Sequence, residues 1–599
     1  MMSSGPPESH NEVVGVTRFA LTLSLLAFVS TLTAAELPAP IGTRIGDFSL
    51  PEPAAAKTWA SSDLPRDGKA TVVIFMATGC PVNSAYLPKL TQLHKRFSPD
   101  GVTFIGINSH PADDAARVAQ HAKDNAIPFT VLKDTDGKIA ERFNVERVPT
   151  AFVLDGAKMV RYKGRIDDQF APNAHKLKAT TSELFTAINA VVEGRDVKTP
   201  FVESAGCKLS STKPTATTTV TYHKEIARII QAKCQECHRP GEAAPFTLMT
   251  FKDAKAWSAM IREVVADGVM PPWHATAKIG HFINDRRLED DQKKTLLTWI
   301  DAGCPEGDAN ETPQPKTYKT GWRLGREPDL IVKMNKAVSV PAQFMYGLGM
   351  PYQHVFGDHE FTEDTWIQAL EVRPEYRAAI HHIIVYIIPP GAEPRKLLKD
   401  ELFSRHMLGA FVPGDEAAIY PEGMAKLIPK GSKLLYELHY TPNGKAGTDQ
   451  SAVGLLVAKT PPKYEVKTDS AINRRFSIPA GESNYSPDIA VLPITKPMTL
   501  LSMTPHMHLR GKAFKYELVS PNGDRELLLD VPKYDFNWQV PYALTKFRDI
   551  PAGSTIECTA WYDNSKANPS NPDPTKTVRW GQQTWEEMMI GFVEYYVER

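Results

Sequence analysis

The sequence predicts a multi-domain chain: an α/β layer, then a small all-α domain, then two all-β antiparallel sandwiches. Three observations carry this. Apolar strand-like runs alternate with helical patterns through residues 40–205, as in a sheet covered on both faces. A Cys-x-x-Cys-His pentad, Cys234-Gln235-Glu236-Cys237-His238, sits among helical patterns within 215–312. Beyond Pro313 the texture changes to short β-rich runs broken by Pro and Gly, which we divide into sandwiches at 320–475 and 476–599. A length of 599 residues suits about four domains. Hydrophobic content of 42% supports packed cores, and Lys plus Arg equals Asp plus Glu at 69 each, so charge gives no case for a nucleic-acid partner.

Taken in order, the run 19–35 is apolar, follows Arg18 and ends in the small residues Thr33 and Ala35. That fits a signal peptide over 1–35 cleaved after Ala35, which would export the chain to the bacterial periplasm or cell envelope. Glu8 and Glu12 weaken its basic start, which leaves open an uncleaved segment anchoring the chain to a membrane. No later run is apolar and long enough to span a bilayer.

In 40–205 a buried strand over 71–77 leads to Gly79-Cys80-Pro81 and a helix carrying Leu87, Leu90, Leu93 and Phe97. Further strands are predicted at 102–107, 129–132 and 151–154, with a helix over 115–125 and Val148-Pro149-Thr150 leading into the last strand. A cysteine at a strand-to-helix turn and a proline ahead of a later strand resemble the thioredoxin and redoxin family. The resemblance implies a reactive Cys80, because a helix N-terminus lowers a thiol pKa. Two positions depart from the family. Asn83 stands where a Cys-x-x-Cys enzyme has its second thiol, and Ala77 stands where a peroxiredoxin has Thr or Ser. Cys207 is then a resolving partner for Cys80 or half of an inert disulfide with it. A structural or regulatory module is the other reading.

A linker over 210–220 precedes the pentad, and helices are predicted at 223–232, 251–267 and 290–301. Two thiols and an imidazole at this spacing are the attachment site of a c-type haem, with Cys234 and Cys237 bonded to the vinyl groups and His238 to the iron. With 6 Cys and 17 His, chance supplies roughly 0.002 such pentads. The rival readings are a two-residue-loop disulfide and half a zinc site, and no second Cys-x-x-Cys completes the latter. Met270, in a loop before Pro271-Pro272, is placed as cytochromes c place their second axial ligand. Filling a core is its alternative role, and His274 and His281 are rival ligands.

In the β-rich half, His381-His382 opens the apolar run 383–388, His439 ends another in Leu438-His439-Tyr440, His506-Met507-His508 follows Thr504-Pro505, and Met588 lies in Glu586-Glu587-Met588-Met589. Adjacent histidines point to opposite faces of a strand, so two ligands to one metal need a bulge there, whereas His506 and His508 at i and i+2 share a face. Singly these motifs are weak. Their order resembles the type II copper monooxygenases, such as peptidylglycine α-hydroxylating and dopamine β-monooxygenases, over about residues 340–597. The resemblance implies two copper ions: an electron-donating one on His381, His382 and His439, and an oxygen-activating one on His506, His508 and Met588. It also implies C–H hydroxylation of a small-molecule or peptide substrate with O2 and an electron donor, here supplied through the fused haem. The family often follows its methionine with a bridged cysteine, but Met589 stands there, which leaves Cys558 without that partner. A cell-envelope thiol or haem redox sensor, or a thiol peroxidase acting at Cys80, is the alternative.

Overall fold

Ala70–Met76 is apolar or β-branched at every position, and every residue is buried. Such a run belongs inside a sheet covered on both faces. It is the middle strand of five, in the order Thr130–Lys133, Val102–Asn108, Ala70–Met76, Thr150–Asp155, Val160–Gly164. The first three are parallel and the last two antiparallel. The helix Pro81–Phe97 follows directly, with Cys80 at its N-cap and Pro81 at the first position, where no backbone N–H is missed. The Val148–Pro149 peptide is cis. Cys207–Lys208 pairs antiparallel with Arg147–Val148, and Cys207 is disulfide-bonded to Cys80. The computed structural model describes residues 41–599 apart from 66–67, 173, 177, 210–215, 243, 278, 319–320, 344–349, 401 and 415–416. The proposed signal segment and part of the predicted linker lie outside the described residues.

In the second region a π-helical turn, Tyr222–Ile226, runs into the helix Ala227–Lys233, which ends at Cys234. The single helix predicted over 251–267 is two, Phe251–Ala256 and Ser258–Ala266, broken at Trp257. Tertiary packing overrides the helical period there. The indole stacks on Phe246 at 4.0 Å and lies 4.1 Å from the His110 ring of the α/β layer. A Cβ placed on Gly79 would come within 2.8 Å of it. Asp290–Asp301 is a helix as predicted, burying Leu296, Trp299 and Ile300.

The β-rich half is built on one nine-stranded sheet backed by two four-stranded sheets. Strands 330–333, 452–457, 365–373 and 424–428 face the sheet formed by 353–360, 433–440, 380–388 and 407–411 across a core containing Ile367, Ile383, Val385 and Leu434. Strands 464–472, 590–598, 498–506 and 542–550 face the sheet 490–493, 555–562, 511–519 and 525–531 across Leu500, Met503, Phe514 and Ile556. Met424–Ile428 pairs in parallel with Tyr464–Ile472, which joins the two halves. Among the described residues no helix is long and apolar enough to cross a membrane.

Candidate metal centre

Strand Ile380–Ile388 runs against Lys433–Tyr440, and its register slips between Ile380 and His382. This is the bulge that an adjacent ligand pair needs. His439 faces His382 across the ladder, and His381, His382 and His439 are all buried with one candidate ligand atom each, all within 4.8 Å of one another. The His381 and His382 Nδ1 atoms are 3.1 Å apart. The Thr584 hydroxyl stands 3.2 Å from His439 Nε2, so a metal held with that bond intact would meet Nδ1. Phe536 stacks on His381 at 4.4 Å and Tyr352 lies 4.7 Å from His439.

His506 is the last residue of strand Met498–His506, and His508 lies beyond it. The expected i, i+2 geometry on one strand therefore does not hold: the chain leaves the ladder at His506. What places His508 is Glu587, whose buried carboxylate accepts the backbone N–H of His508 at 2.8 Å and of Arg510 at 2.7 Å. Burial pushes the Glu587 carboxyl up to about 7, against the pull of Arg510. The His506 Nδ1 is bonded to Gln539 Oε1, which is fixed as acceptor because the amide nitrogen donates to the Phe536 carbonyl. The His508 Nδ1 donates to the Glu586 carbonyl at 3.2 Å, and its Nε2 is buried with no hydrogen-bond partner. Both rings thus offer Nε2 to a metal, oriented from behind as metal-bound imidazoles are.

The two sets adjoin. His382 and His506 have ring centroids 6.4 Å apart, and burial, reinforced by neighbouring histidines, holds His382 and His508 well below the usual imidazole range. Met588 lines a cavity of about 380 Å³ together with His382 and His506. Neutral imidazoles and a thioether are a donor set that suits copper, so the residues fit. Cys558 is a buried free thiol packed where a Cβ on Gly591 would lie.

The pentad forms a tight turn in which the His238 N–H donates to the Cys234 carbonyl at 3.0 Å. His238 Nδ1 is 3.1 Å from the Phe246 carbonyl, which can only accept, so this nitrogen carries the proton and Nε2 is left for a metal. Burial lowers the imidazole to about 4 and raises the Cys234 thiol to about 12. Free thiols at Cys234 and Cys237 beside a neutral, oriented imidazole fit a covalent haem. Met270 is half-buried after the helix Ser258–Ala266, and its peptide with Pro271 is cis. Of its rivals, His274 has a buried Nε2 without a hydrogen bond and His281 is exposed. Cys80 and Cys207 are buried in their disulfide, with 0% and 4% exposure.

Sequence reasoning missed Glu587, Gln539, Thr584, Tyr352 and Phe536. Only Glu587 carried a signal, as the neighbour of Met588. The others sit in irregular chain that no periodicity marks.

Residues 41–163 match the AhpC/TSA family, and residues 471–599 match the copper type II ascorbate-dependent monooxygenase, C-terminal domain. The chain therefore carries a redoxin domain of the thioredoxin-like class and a copper type II monooxygenase C-terminal domain, which together make it an oxidoreductase. Curated relatives cover its first third. The sporulation thiol-disulfide oxidoreductase A of Bacillus subtilis (strain 168) is 24% identical over 173 residues, 28% of this chain and 96% of that protein. The thiol:disulfide interchange protein DsbE of Yersinia pestis is 29% identical over 178 residues, 27% of this chain and 90% of that one. A solved structure, a hypothetical protein from Sinorhizobium meliloti 1021, is 28% identical, covering 28% of this chain and 92% of its own with a TM-score of 0.26.

Proposed function

We propose that the chain is an exported, periplasmic or envelope oxidoreductase that hydroxylates a C–H bond with O2 and two electrons relayed through a c-type haem. One oxygen atom enters the substrate and the other leaves as water. The observation that carries this reading is the meeting of five buried histidines from two sandwiches, with Met588 lining the cavity that His382 and His506 also line. Copper, when bound, would supply the one-electron chemistry and the activation of O2. The chain's own residues do the rest. His381, His382 and His439 hold the electron-donating metal. His506, His508 and Met588 hold the oxygen-activating one. Gln539 and the Glu586 carbonyl fix the imidazole tautomers, and Glu587 clamps the 508–510 turn beside Met588. Cys234, Cys237, His238 and Met270 are assigned to the haem, in a region over 215–312.

The test is metal and haem analysis of full-length protein from a host that matures cytochromes c. Wild type should hold about two coppers and a haem band that survives denaturation. Met588→Ile and His439→Ala should each keep about one copper and lose oxygen uptake, because each spares the other set. Copper content near zero in folded protein under excess metal would end the reading. A second reading, thiol-based redox sensing or peroxidase chemistry at Cys80, is favoured by its disulfide with Cys207 at the head of a helix.

A further inference from the structure

A second cavity, of about 550 Å³, reaches the same His382 and His506. Both chambers are lined mainly by apolar side chains and share Ile384 and Phe592. The smaller one, which Met588 lines, also carries Lys399, Glu437, Arg474 and Glu586 in its wall. The larger is walled chiefly by apolar side chains, among them Leu370, Ile384, Met407, Leu501 and Phe592. Its charged and amide groups are engaged within the chain. Lys426 Nζ donates to the Leu408 carbonyl and the Thr468 hydroxyl, both at 3.0 Å, and pairs with Glu594 at 2.8 Å. Glu594 also accepts from the Tyr420 hydroxyl at 2.8 Å. Arg286 donates to the Gly414 carbonyl, and Asn284 donates to the Pro541 carbonyl at 2.7 Å while accepting from the Ala543 N–H. Three large apolar residues that line this chamber are left in solvent, Ile283 at 72%, Ile419 at 57% and Phe547 at 39% exposure, and they mark its mouth.

We infer that the larger chamber is the substrate site and that its substrate is a neutral, predominantly apolar small molecule. The volume admits a ligand of drug-like size. Burying a carboxylate or ammonium there would strip its hydration; Lys426 and Glu594 already neutralise each other, and Arg286 is bonded to the Gly414 carbonyl, whereas apolar surface gains by leaving water. An apolar guest would end against His382 and His506, one histidine from each set. The inference rests on the monooxygenase reading for the reaction served, but not for binding.

The test uses full-length protein, copper-free and copper-loaded, with the neutral fluorophore N-phenyl-1-naphthylamine displaced by decan-1-ol, decanoate or decylamine. Decan-1-ol should displace it at least about tenfold more tightly than either charged homologue. Ile419→Glu at the exposed mouth, and Ala410→Phe in the chamber wall, should each weaken decan-1-ol by a similar factor. Equal or tighter binding of decanoate or decylamine overturns the inference, as does decan-1-ol binding that neither variant changes. Selective binding without oxygen uptake by copper-loaded protein would leave the inference standing and sink the monooxygenase reading. Oxygen uptake without that selectivity would do the reverse.

Discussion

His110 is fully buried, its Nδ1 accepts the Ala112 N–H at 3.2 Å, and its ring lies against Trp257. Burial lowers its imidazole to about 4, with Lys133 and Arg117 pushing the same way and Asp113 opposing. The unfolded chain binds this proton below about pH 6.5 and the folded one only below about 4. The stabilisation is thus complete above pH 6.5 and lost as pH falls toward 4. His110→Phe should flatten that part of the stability profile in urea unfolding followed between pH 7 and 4. A wild-type and variant profile of equal slope would mean that another group titrates. At this scale the sequence was legible where residue identity within a few positions marks a cluster, as in His381-His382, which the structure brings to His439. The orienting groups were not, because Gln539 is 33 residues from His506 and Glu587 is 79 from His508, and only the fold brings them together.

Among the elements, the break at Trp257 has the clearest energetic meaning. Its indole fills the space that Gly79 leaves, one residue before Cys80 of the disulfide, so the second region packs on the turn that carries that cysteine. Arg147 and Lys208, on the strand pair next to that bridge, both reach Glu263 of the helix Ser258–Ala266, at 2.7 and 3.1 Å, and hold that packing in place. Trp257→Ala should cost about 3–5 kcal/mol through the cavity it leaves. It should also speed reduction of Cys80–Cys207 by dithiothreitol several-fold, as read by mass mapping of timed samples; an unchanged rate in folded variant would show that the indole is not the cover. Strands 70–76, 380–388 and 433–440 were visible as apolar runs because they are buried almost throughout, and 555–562 because its burial alternates with period two. The helix break was invisible, since the residues around Trp257 keep a helical period while a partner more than a hundred positions away decides where the helix stops.

For the molecule as a whole, the sequence showed an α/β layer, a helical stretch and a β-rich half, but not that the sheets of that half run on through a parallel pair. Parallel pairing of Met424 with Tyr464 joins segments that each look complete. Nor did it show where the chain between Met270 and the helix Asp290–Asp301 would lie. That segment seats Trp273 and Phe282 on Tyr542, at 4.9 and 5.5 Å, and pairs backbone to backbone with strand Tyr542–Ile550: Ile283 N–H to Ala543 carbonyl, Thr545 N–H to His281 carbonyl, both 2.9 Å. Strand 542–550 is the end strand of the nine-stranded sheet. An unpaired end strand is a template for another chain. The segment that ties the pentad region to the sandwich therefore pairs with the start of that edge, at Ala543 and Thr545, and its release would bare backbone groups that another chain could pair with. Phe282→Asp should loosen it and give concentration-dependent oligomers by light scattering, with the monomer recovered on dilution. A variant that stays monomeric at high concentration would show that the edge is protected some other way. Assembly of Phe282→Asp would make the docking of one region on another, in colloidal terms, part of what keeps this β-rich chain dispersed.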